Sequence, residues 1–205
     1  MSQSTTNNTS SNFPDNRRTF LRRSSVATLS ATAVALLYGK ETLASDMDKK
    51  SHHHSPEQDS AILNVALGLE HEAINAYQLG AQSGLLQKPV LDVAVLFQSQ
   101  HKQHRDALIS TIEKMGGEAV AQNTLEHYAE SLQANTLKSQ ADVLQLATRL
   151  EAGATNAYLG VIPSFSDATL AQIAGRLAAD ETMHWTVLTQ ALGAELPQGA
   201  LSFGG

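Results

Sequence analysis

A pair of helical segments occurs twice in this chain of 205 residues. The sequence LEHEAINAY at 69–77 matches LEAGATNAY at 150–158, with leucine, glutamate, asparagine, alanine and tyrosine at corresponding places 81 positions apart. Downstream of these copies, apolar and histidine positions in 97–108 match positions in 177–188 at a spacing of 80. Self-similarity at a fixed spacing is the signature of a duplicated structural unit. The sequence therefore predicts two equivalent helix pairs.

Four helices are predicted from capping residues and from apolar residues that recur at helical spacing. The start of the first is marked by Ser55, a serine cap, followed by a proline at the first helical position. The predicted helices run from Pro56 to about Leu86, from Pro89 to Gly116-Gly117, from a cap at Ser139 to just before Pro163, and from Ser166 to Gly193. Short loops within each pair and a longer crossover between the pairs predict an all-α four-helix bundle.

Composition excludes several classes of function. The chain contains no cysteine, so disulfides, thiolate metal sites, a thiol nucleophile and a lipid-modified N-terminal cysteine are excluded. Hydrophobic residues make up 42% and charged residues only 17%, which is typical of a globular fold rather than a disordered chain. A formal net charge of −6 argues against nucleic acid as a partner.

The first 44 residues resemble a twin-arginine export signal. The run NRRTFLRR at 16–23 precedes a mildly apolar stretch at 26–38, and small residues near the end predict cleavage before Ser45. The apolar stretch is too short to span a bilayer, which needs about 20 residues. The resemblance implies export of the folded protein, often with its cofactor already inside, to the periplasm or another extracytoplasmic space.

The rest of the chain divides into three segments. We predict a polar linker at 45–55, the four-helix domain at 56–193 and an irregular tail at 194–205. The histidine run at 52–54 is interpreted as part of a flexible linker rather than as a metal site. Beyond the leader there is no long apolar stretch, so contact with a membrane is expected only through an uncleaved leader. Assembly into a homo-oligomer stays open.

Polar residues interrupt the apolar faces of all four predicted helices at one level of the bundle. These residues are Glu70, His101, His104, Glu151, Glu181 and His184. Histidines 101 and 104 are three positions apart, as are residues 181 and 184, so each pair projects from one helix face. Burying a lone ionised carboxylate costs more than a packing contact returns, so such a cluster requires a cation or a hydrogen-bonded network. Carboxylate and imidazole ligands together suit iron, manganese or zinc.

The pattern resembles the ferritin-like di-iron or di-manganese carboxylate proteins. These proteins take one glutamate from each of two helices and a Glu-x-x-His motif from each of the other two. Glu70 and Glu151 match the single glutamates, and the segment 181–184 matches one Glu-x-x-His motif. The resemblance covers residues 56–193 and points to an exported branch of the superfamily rather than to the storage cages.

One position departs from the family pattern. The segment 101–104 begins with histidine where the family has a bridging glutamate. The chain thus offers three carboxylates instead of four, and a neutral imidazole has one nitrogen lone pair with which to bind. We expect one or two ions per chain, with the second held weakly or not at all. An outward orientation of His101 or His104 stays open, because their segment is strongly polar.

The resemblance implies roles for the six residues and a first hypothesis of function. Terminal ligands would be Glu70, His104, Glu151 and His184, with Glu181 as the bridge and His101 as a variant ligand. The first hypothesis is a metal-dependent oxidoreductase that handles oxygen, peroxide or ferrous iron outside the cytoplasm. The alternatives are a non-catalytic protein that binds metal for scavenging or stability, and an interaction or stress-protection module with a degenerate site.

Neighbouring polar and aromatic residues are expected to lie outside the site. Because they fall off the Glu70 stripe, His71 and Glu72 are predicted to be solvated, and Asp180 is predicted to point away. Core packing is the favoured interpretation of Tyr77, Tyr158, Met183 and Trp185. For the two tyrosines, hydrogen bonding to the metal centre or electron exchange with it is the alternative.

Overall fold

The computed structural model describes residues 55–204 of the chain. The predicted leader at 1–44, the linker up to residue 54 with its histidine run, and the last residue lie outside this range. Statements about the fold and the site below concern the described residues.

The described chain is all-helical, as predicted. It contains α1 (Pro56–Gln82), α2 (Lys88–Lys114), α3 (Leu125–Ser131), α4 (Gln140–Val161) and α5 (Ala168–Ala191), with 3₁₀ turns at Ala134–Thr136 and Ile162–Ser164. The two most extensive helix packings are α1 with α2 and α4 with α5, which are the two predicted pairs. No strand occurs between residues 55 and 204.

Side-chain caps explain where α1 and α4 begin. The Ser55 hydroxyl accepts a hydrogen bond from the Gln58 amide at 3.3 Å, and the Ser139 hydroxyl accepts one from the Asp142 amide at 3.2 Å. Each bond satisfies an amide that has no partner inside the helix. Helix α1 ends at Gln82 instead of near residue 86.

The last helix begins two residues later than the predicted start at Ser166. The cap of α5 is Asp167, whose carboxylate accepts from the Thr169 amide at 2.7 Å. Ser166 instead binds the buried Asp59 of α1, to which its amide donates at 3.1 Å and its hydroxyl donates as well. This contact ties the α4–α5 connection to the start of the bundle.

The crossover between the pairs contains a short helix that the sequence did not predict. Helix α3 has only seven residues, too few to show a clear helical period. The crossover is held against α1 by Asn64, which donates to the Glu118 carbonyl at 3.0 Å and accepts from the Val120 amide at 2.7 Å. The ring of His71 lies 3.2 Å from the Val120 carbonyl. His71 is therefore buried, contrary to the prediction that it is solvated.

Two apolar clusters enclose the level of the bundle at which the predicted site residues lie. One contains Leu63, Leu67, Leu108, Ile112, Tyr158 and Leu177 among others. The second contains Tyr77, Ala94, Phe97, Leu144 and Leu188. Because both clusters exclude water, polar side chains between them must satisfy one another or bind an ion.

The surface of α5 and the tail complete the description. Met183 is exposed, so the prediction that it packs in the core is wrong. Trp185 is half-buried and contacts Phe203 of the tail edge-on, with ring centroids 5.0 Å apart. The amide of Gly204 donates to Asn156 at 2.8 Å. None of the helices between residues 55 and 204 has the length and apolar character needed to cross a bilayer.

Candidate metal centre

The six residues singled out from the sequence converge in the interior. Each is no more than 8% exposed, and the six are Glu70, His101, His104, Glu151, Glu181 and His184. They come from α1, α2, α4 and α5, one or two from each long helix. His101 and His104 both point inward, which answers the question that the polar character of their segment had left open.

The side chains form two overlapping groups, each with ligand atoms within 4.8 Å of one another. We call them the His104 half, made of Glu70, His101, His104 and Glu181, and the His184 half, made of His101, Glu151, Glu181 and His184. His101 and Glu181 belong to both halves. The arrangement offers two adjacent places for a cation, which share these two side chains.

His101 lies between the two halves and turns one ring nitrogen towards each. Its Nδ1 is 2.8 Å from Oε2 of Glu70, and its Nε2 is 3.2 Å from Oε1 of Glu151. The same Nδ1 is 3.8 Å from Oε1 of Glu181. The imidazole thus contacts all three carboxylates of the site.

Two tyrosines bind the site glutamates in a reciprocal manner. The Tyr77 hydroxyl of α1 donates to Glu151 of α4, and the Tyr158 hydroxyl of α4 donates to Glu70 of α1. The sequence favoured core packing for both residues; they are buried, but they also hold the carboxylates of the opposite repeat. Their matching positions in the repeat indicate an internal two-fold relation between the helix pairs.

Each terminal histidine has an outer partner on the neighbouring helix. Nε2 of His104 is 3.2 Å from Oδ2 of Asp180, and Nε2 of His184 is 2.7 Å from Oε1 of Gln100. The Asp180 side chain is 44% exposed but faces His104, so the prediction that it points away is wrong. Gln100 was not predicted at all. A signal existed, because residues 100 and 180 occupy the same place in the repeat.

The carboxylates and imidazoles shift one another's protonation. Burial alone would raise the pKa of Glu70, but contacts with His101 and His104 outweigh it and lower that pKa to about 2. Burial would lower the pKa of His104, and contacts with Glu181 and Glu70 instead raise it to about 10. Burial is also the main reason that the pKa of Glu181 is raised. Protonated imidazoles therefore balance the carboxylates, and a cation that binds here must displace protons.

The same logic applies to the rest of the cluster. The pKa of Glu151 is lowered, because contacts with His101 and His184 outweigh its burial. The pKa of His184 is raised, because contacts with Glu151 and Glu181 outweigh its own burial. Burial raises the pKa of Tyr77 well above its ordinary value, so its hydroxyl stays a hydrogen-bond donor.

Three buried ligand atoms of the site lack a hydrogen-bond partner within residues 55–204: Nδ1 of His104, Oε2 of Glu151 and Oε1 of Glu181. Buried polar atoms are rarely left in this state, because each one costs the loss of its hydration. Nδ1 of His104 and Oε1 of Glu181 face each other in the His104 half, and Oε2 of Glu151 lies in the His184 half, so a cation in either half would satisfy the free atoms there. The donor set, carboxylate oxygen and imidazole nitrogen, fits a divalent transition-metal ion.

Two cavities reach the cluster from opposite directions. The larger, of about 430 Å³, lies between α2 and α5 and is lined by Gln100, His104 and Asp180 among others. The smaller, of about 70 Å³, lies between α1 and α4 and touches His101 and Glu151. Glu72 lines this second cavity and is half-buried, with its pKa raised by burial, so the prediction that it is solvated is not met.

A family model described as a ferritin-like domain matches residues 58–194. The chain belongs to the ferritin-like family. A solved structure of a conserved hypothetical protein from Mycobacterium tuberculosis is similar, with a TM-score of 0.57, 24% identity, and coverage of 72% of this chain and 99% of that one. A search of curated proteins returned no match.

Membership of the ferritin-like family confirms the fold expected from the repeat and the carboxylate–histidine pattern. In this ferritin-like chain the buried histidines and glutamates are compatible with metal binding. The solved relative adds evidence on the fold alone. The two helix pairs of this chain differ beside the cluster, where α2 carries Gln100 and His101 and α5 carries Asp180 and Glu181.

Proposed function

We propose that the chain is an exported metalloprotein which binds iron or manganese between its four long helices and handles oxygen, peroxide or ferrous iron. The observation that carries the proposal is the buried cluster itself, with three ligand atoms that have no partner among the described residues. Such a cluster is costly for a protein that never binds a cation.

The residues that would hold the metal are the six of the cluster. Iron or manganese supplies a change of valence when bound, and carboxylates suit it because they bind in terminal or bridging modes. The chain fixes the orientation of these ligands through its own hydrogen bonds. Tyr158 holds Glu70, and Tyr77 holds Glu151. Outer partners of this kind are known to strengthen metal binding 10–100-fold.

The larger cavity gives reactants access to the cluster. At about 430 Å³ and open to solvent beside His104, it admits water, dioxygen, peroxide or a hydrated ion. The lining next to the cluster includes Gln103, Arg176 and Asp180, so polar groups surround the approach to His104.

Export through the twin-arginine route is part of the proposal. Its support is the arginine pair at 17–18, the apolar run and the small residues before Ser45. Replacing both arginines with lysine should leave the protein in the cytoplasm, as measured by cell fractionation. Unchanged export of that variant would refute this part of the proposal, and it would leave the metal site untouched.

The proposed function is tested on protein purified from its own compartment. Elemental analysis should find iron or manganese at about one ion per chain, as expected from the three carboxylates. The loaded protein should then consume oxygen or peroxide faster than the free ion at equal concentration. Absence of bound metal would refute the proposal.

A second candidate is a non-catalytic metal-binding protein. It is favoured by one observation, the replacement of a bridging carboxylate by His101. A site with fewer carboxylates stabilises higher metal charge less well and suits storage or scavenging better than turnover. Stoichiometric metal without turnover of oxygen, peroxide or ferrous iron would support this candidate against the first.

A further inference from the structure

We propose that a single divalent transition-metal ion occupies the His104 half of the cluster, and that Asp180, Gln100 and His101 together exclude it from the His184 half. The inference rests on the proposed function, because it takes for granted that the cluster binds metal. It goes further by stating which half holds the ion and which residues decide this.

The first argument comes from the outer partners of the two terminal histidines. Asp180 and Gln100 occupy equivalent places in the repeat, and each contacts the terminal histidine of the other helix pair. A carboxylate behind a ligating histidine raises the basicity of the ring, whereas an amide carries no charge. Because Nε2 of each terminal histidine contacts its outer partner, Nδ1 faces the centre of the cluster. His104 is the stronger ligand of the two, because its outer partner is the carboxylate.

The second argument is that His101 serves only one half at a time. A neutral imidazole has one nitrogen that accepts and one N–H that donates. If Nδ1 binds an ion beside Glu70, then Nε2–H donates to Oε1 of Glu151, which is 3.2 Å away. That same oxygen accepts from the Tyr77 hydroxyl. One oxygen of Glu151 is then fully engaged, and the His184 half is left with fewer free ligand atoms.

The third argument is the distribution of atoms without partners. Nδ1 of His104 and Oε1 of Glu181 lie 3.1 Å apart in the His104 half, without the geometry of a hydrogen bond. Glu181 turns its other oxygen, Oε2, towards the His184 half, where it is hydrogen-bonded to Nδ1 of His184 at 3.2 Å, so that only Oε2 of Glu151 lacks a partner on that side. The larger cavity also opens beside His104. Charge, free ligand atoms and access therefore favour the same half.

The test uses the full chain, freed of metal with a chelator and crystallised with one equivalent of Co²⁺. Cobalt lies next to iron in the affinity order of divalent metals and gives a strong anomalous signal. We expect one anomalous peak, among Glu70, His104 and Glu181. Equilibrium dialysis of the same protein should give one tightly held Co²⁺ per chain.

Two variants and a control separate the contributions of the outer partners. Asp180→Asn keeps the shape but removes the charge, and should weaken Co²⁺ binding at least tenfold. Gln100→Asp places a carboxylate behind His184, and with two equivalents of Co²⁺ it should produce a second anomalous peak among Glu151, Glu181 and His184 that the unmodified protein lacks. Glu113→Gln changes an exposed carboxylate elsewhere on α2 and should alter neither the affinity nor the peaks.

The outcomes distinguish failure of the inference from failure of the proposed function. A peak in the His184 half, or two equal peaks in the unmodified protein, overturns the inference and leaves metal binding intact. Equal affinities for Asp180→Asn and the unmodified protein, with circular dichroism unchanged in both, overturn the role of Asp180. No bound Co²⁺ at any concentration up to the millimolar range overturns the proposed function as well.

Discussion

The two helix pairs agree closely in their first helices and differ in their second. Helices α1 and α4 share a glutamate and a tyrosine, and each tyrosine binds the glutamate of the other helix. Beside the cluster, helices α2 and α5 carry different side chains at two consecutive places, Gln100-His101 in one and Asp180-Glu181 in the other. The first helices therefore contribute equally to the two sides of the site. The second helices make the distribution of charged side chains in the site asymmetric.

The comparison shows that a duplicated fold does not require a duplicated site. At these two places α5 supplies two carboxylates and α2 supplies none. The apolar core that packs the helices together consists of other residues, among them Leu67, Leu108 and Leu177. The difference between the two helices alters the net charge of the buried site, and that charge determines how many divalent ions the site holds.

The largest expected effect follows removal of Glu181, the carboxylate that both halves share. Glu181→Ala should lower metal affinity by more than about 100-fold, since even the loss of an outer partner costs 10–100-fold. Equilibrium dialysis against Mn²⁺ measures this. Glu113→Ala, an exposed carboxylate on α2, is the matched control and should bind as the unmodified protein does. Equal losses in both variants would mean that metal binds to the surface rather than between the helices.

Restoring the missing carboxylate should reduce the difference between the two halves. His101→Glu adds a negative charge and a group that can bridge two ions, so bound metal should rise from about one towards two per chain. Dialysis against ferrous or manganous ion under anaerobic conditions measures the stoichiometry. Two tightly held ions in the unmodified protein, with no gain in the variant, would show that the histidine on α2 does not limit loading.

Metal affinity should rise with pH. The pKa of His104 is about 10, so its ring carries a proton at neutral pH, and that proton must leave before Nδ1 can bind a cation. The pKa of Glu70 is about 2, so that carboxylate is already ionised and adds no pH dependence above pH 5. If metal binding displaces one proton from the ring, the metal affinity should rise about tenfold for each unit of increase in pH, as long as the pH stays below the pKa of the ring. Dialysis against Mn²⁺ at pH 6, 7 and 8 checks the slope, and a flat response would contradict the protonated ring.

Much of the site could be predicted from the sequence because helical spacing fixes which residues share a face. Glu70, Glu151 and Glu181 interrupt apolar stripes, and the repeat places them at one level. The bundle and its all-α class follow from the same periodicity. Spacing along one helix is enough for these statements, and no knowledge of neighbouring helices is needed.

Contacts between helices could not be predicted in the same way. His71 falls off the apolar stripe of α1, and it is buried only because the crossover covers it and brings the Val120 carbonyl to its ring. Asp180 also lies off the stripe, and it contacts His104 because α2 and α5 lie side by side. In both cases the contacting residue comes from a distant part of the chain, and the periodicity of a single helix gives no information about such contacts.

The smallest expected effect concerns the tyrosines, the part of the repeat that looks symmetric. Tyr77→Phe and Tyr158→Phe each remove a hydrogen bond to a buried carboxylate, which is worth about 1.5–3 kcal/mol. In the metal-free protein this should lower Tm by roughly 3–12 °C. Tyr128→Phe is the control, because within the described residues the Tyr128 hydroxyl only accepts a 3.3 Å bond from the Asn123 amide, and its loss should cost about 0.5–1 kcal/mol.

The two variants should not be equal, because His101 breaks the symmetry here as well. Oε1 of Glu151 is contacted by both Tyr77 and His101, so Tyr77→Phe leaves that oxygen one donor. Among residues 55–204, Oε1 of Glu70 is bound by Tyr158 alone, since His101 contacts the other oxygen of that carboxylate, Oε2. Tyr158→Phe therefore leaves a buried carboxylate oxygen without any partner, and it should be the more destabilising of the two in urea unfolding. A larger loss from Tyr77→Phe would mean that the ring of His101 does not hold Glu151 in solution.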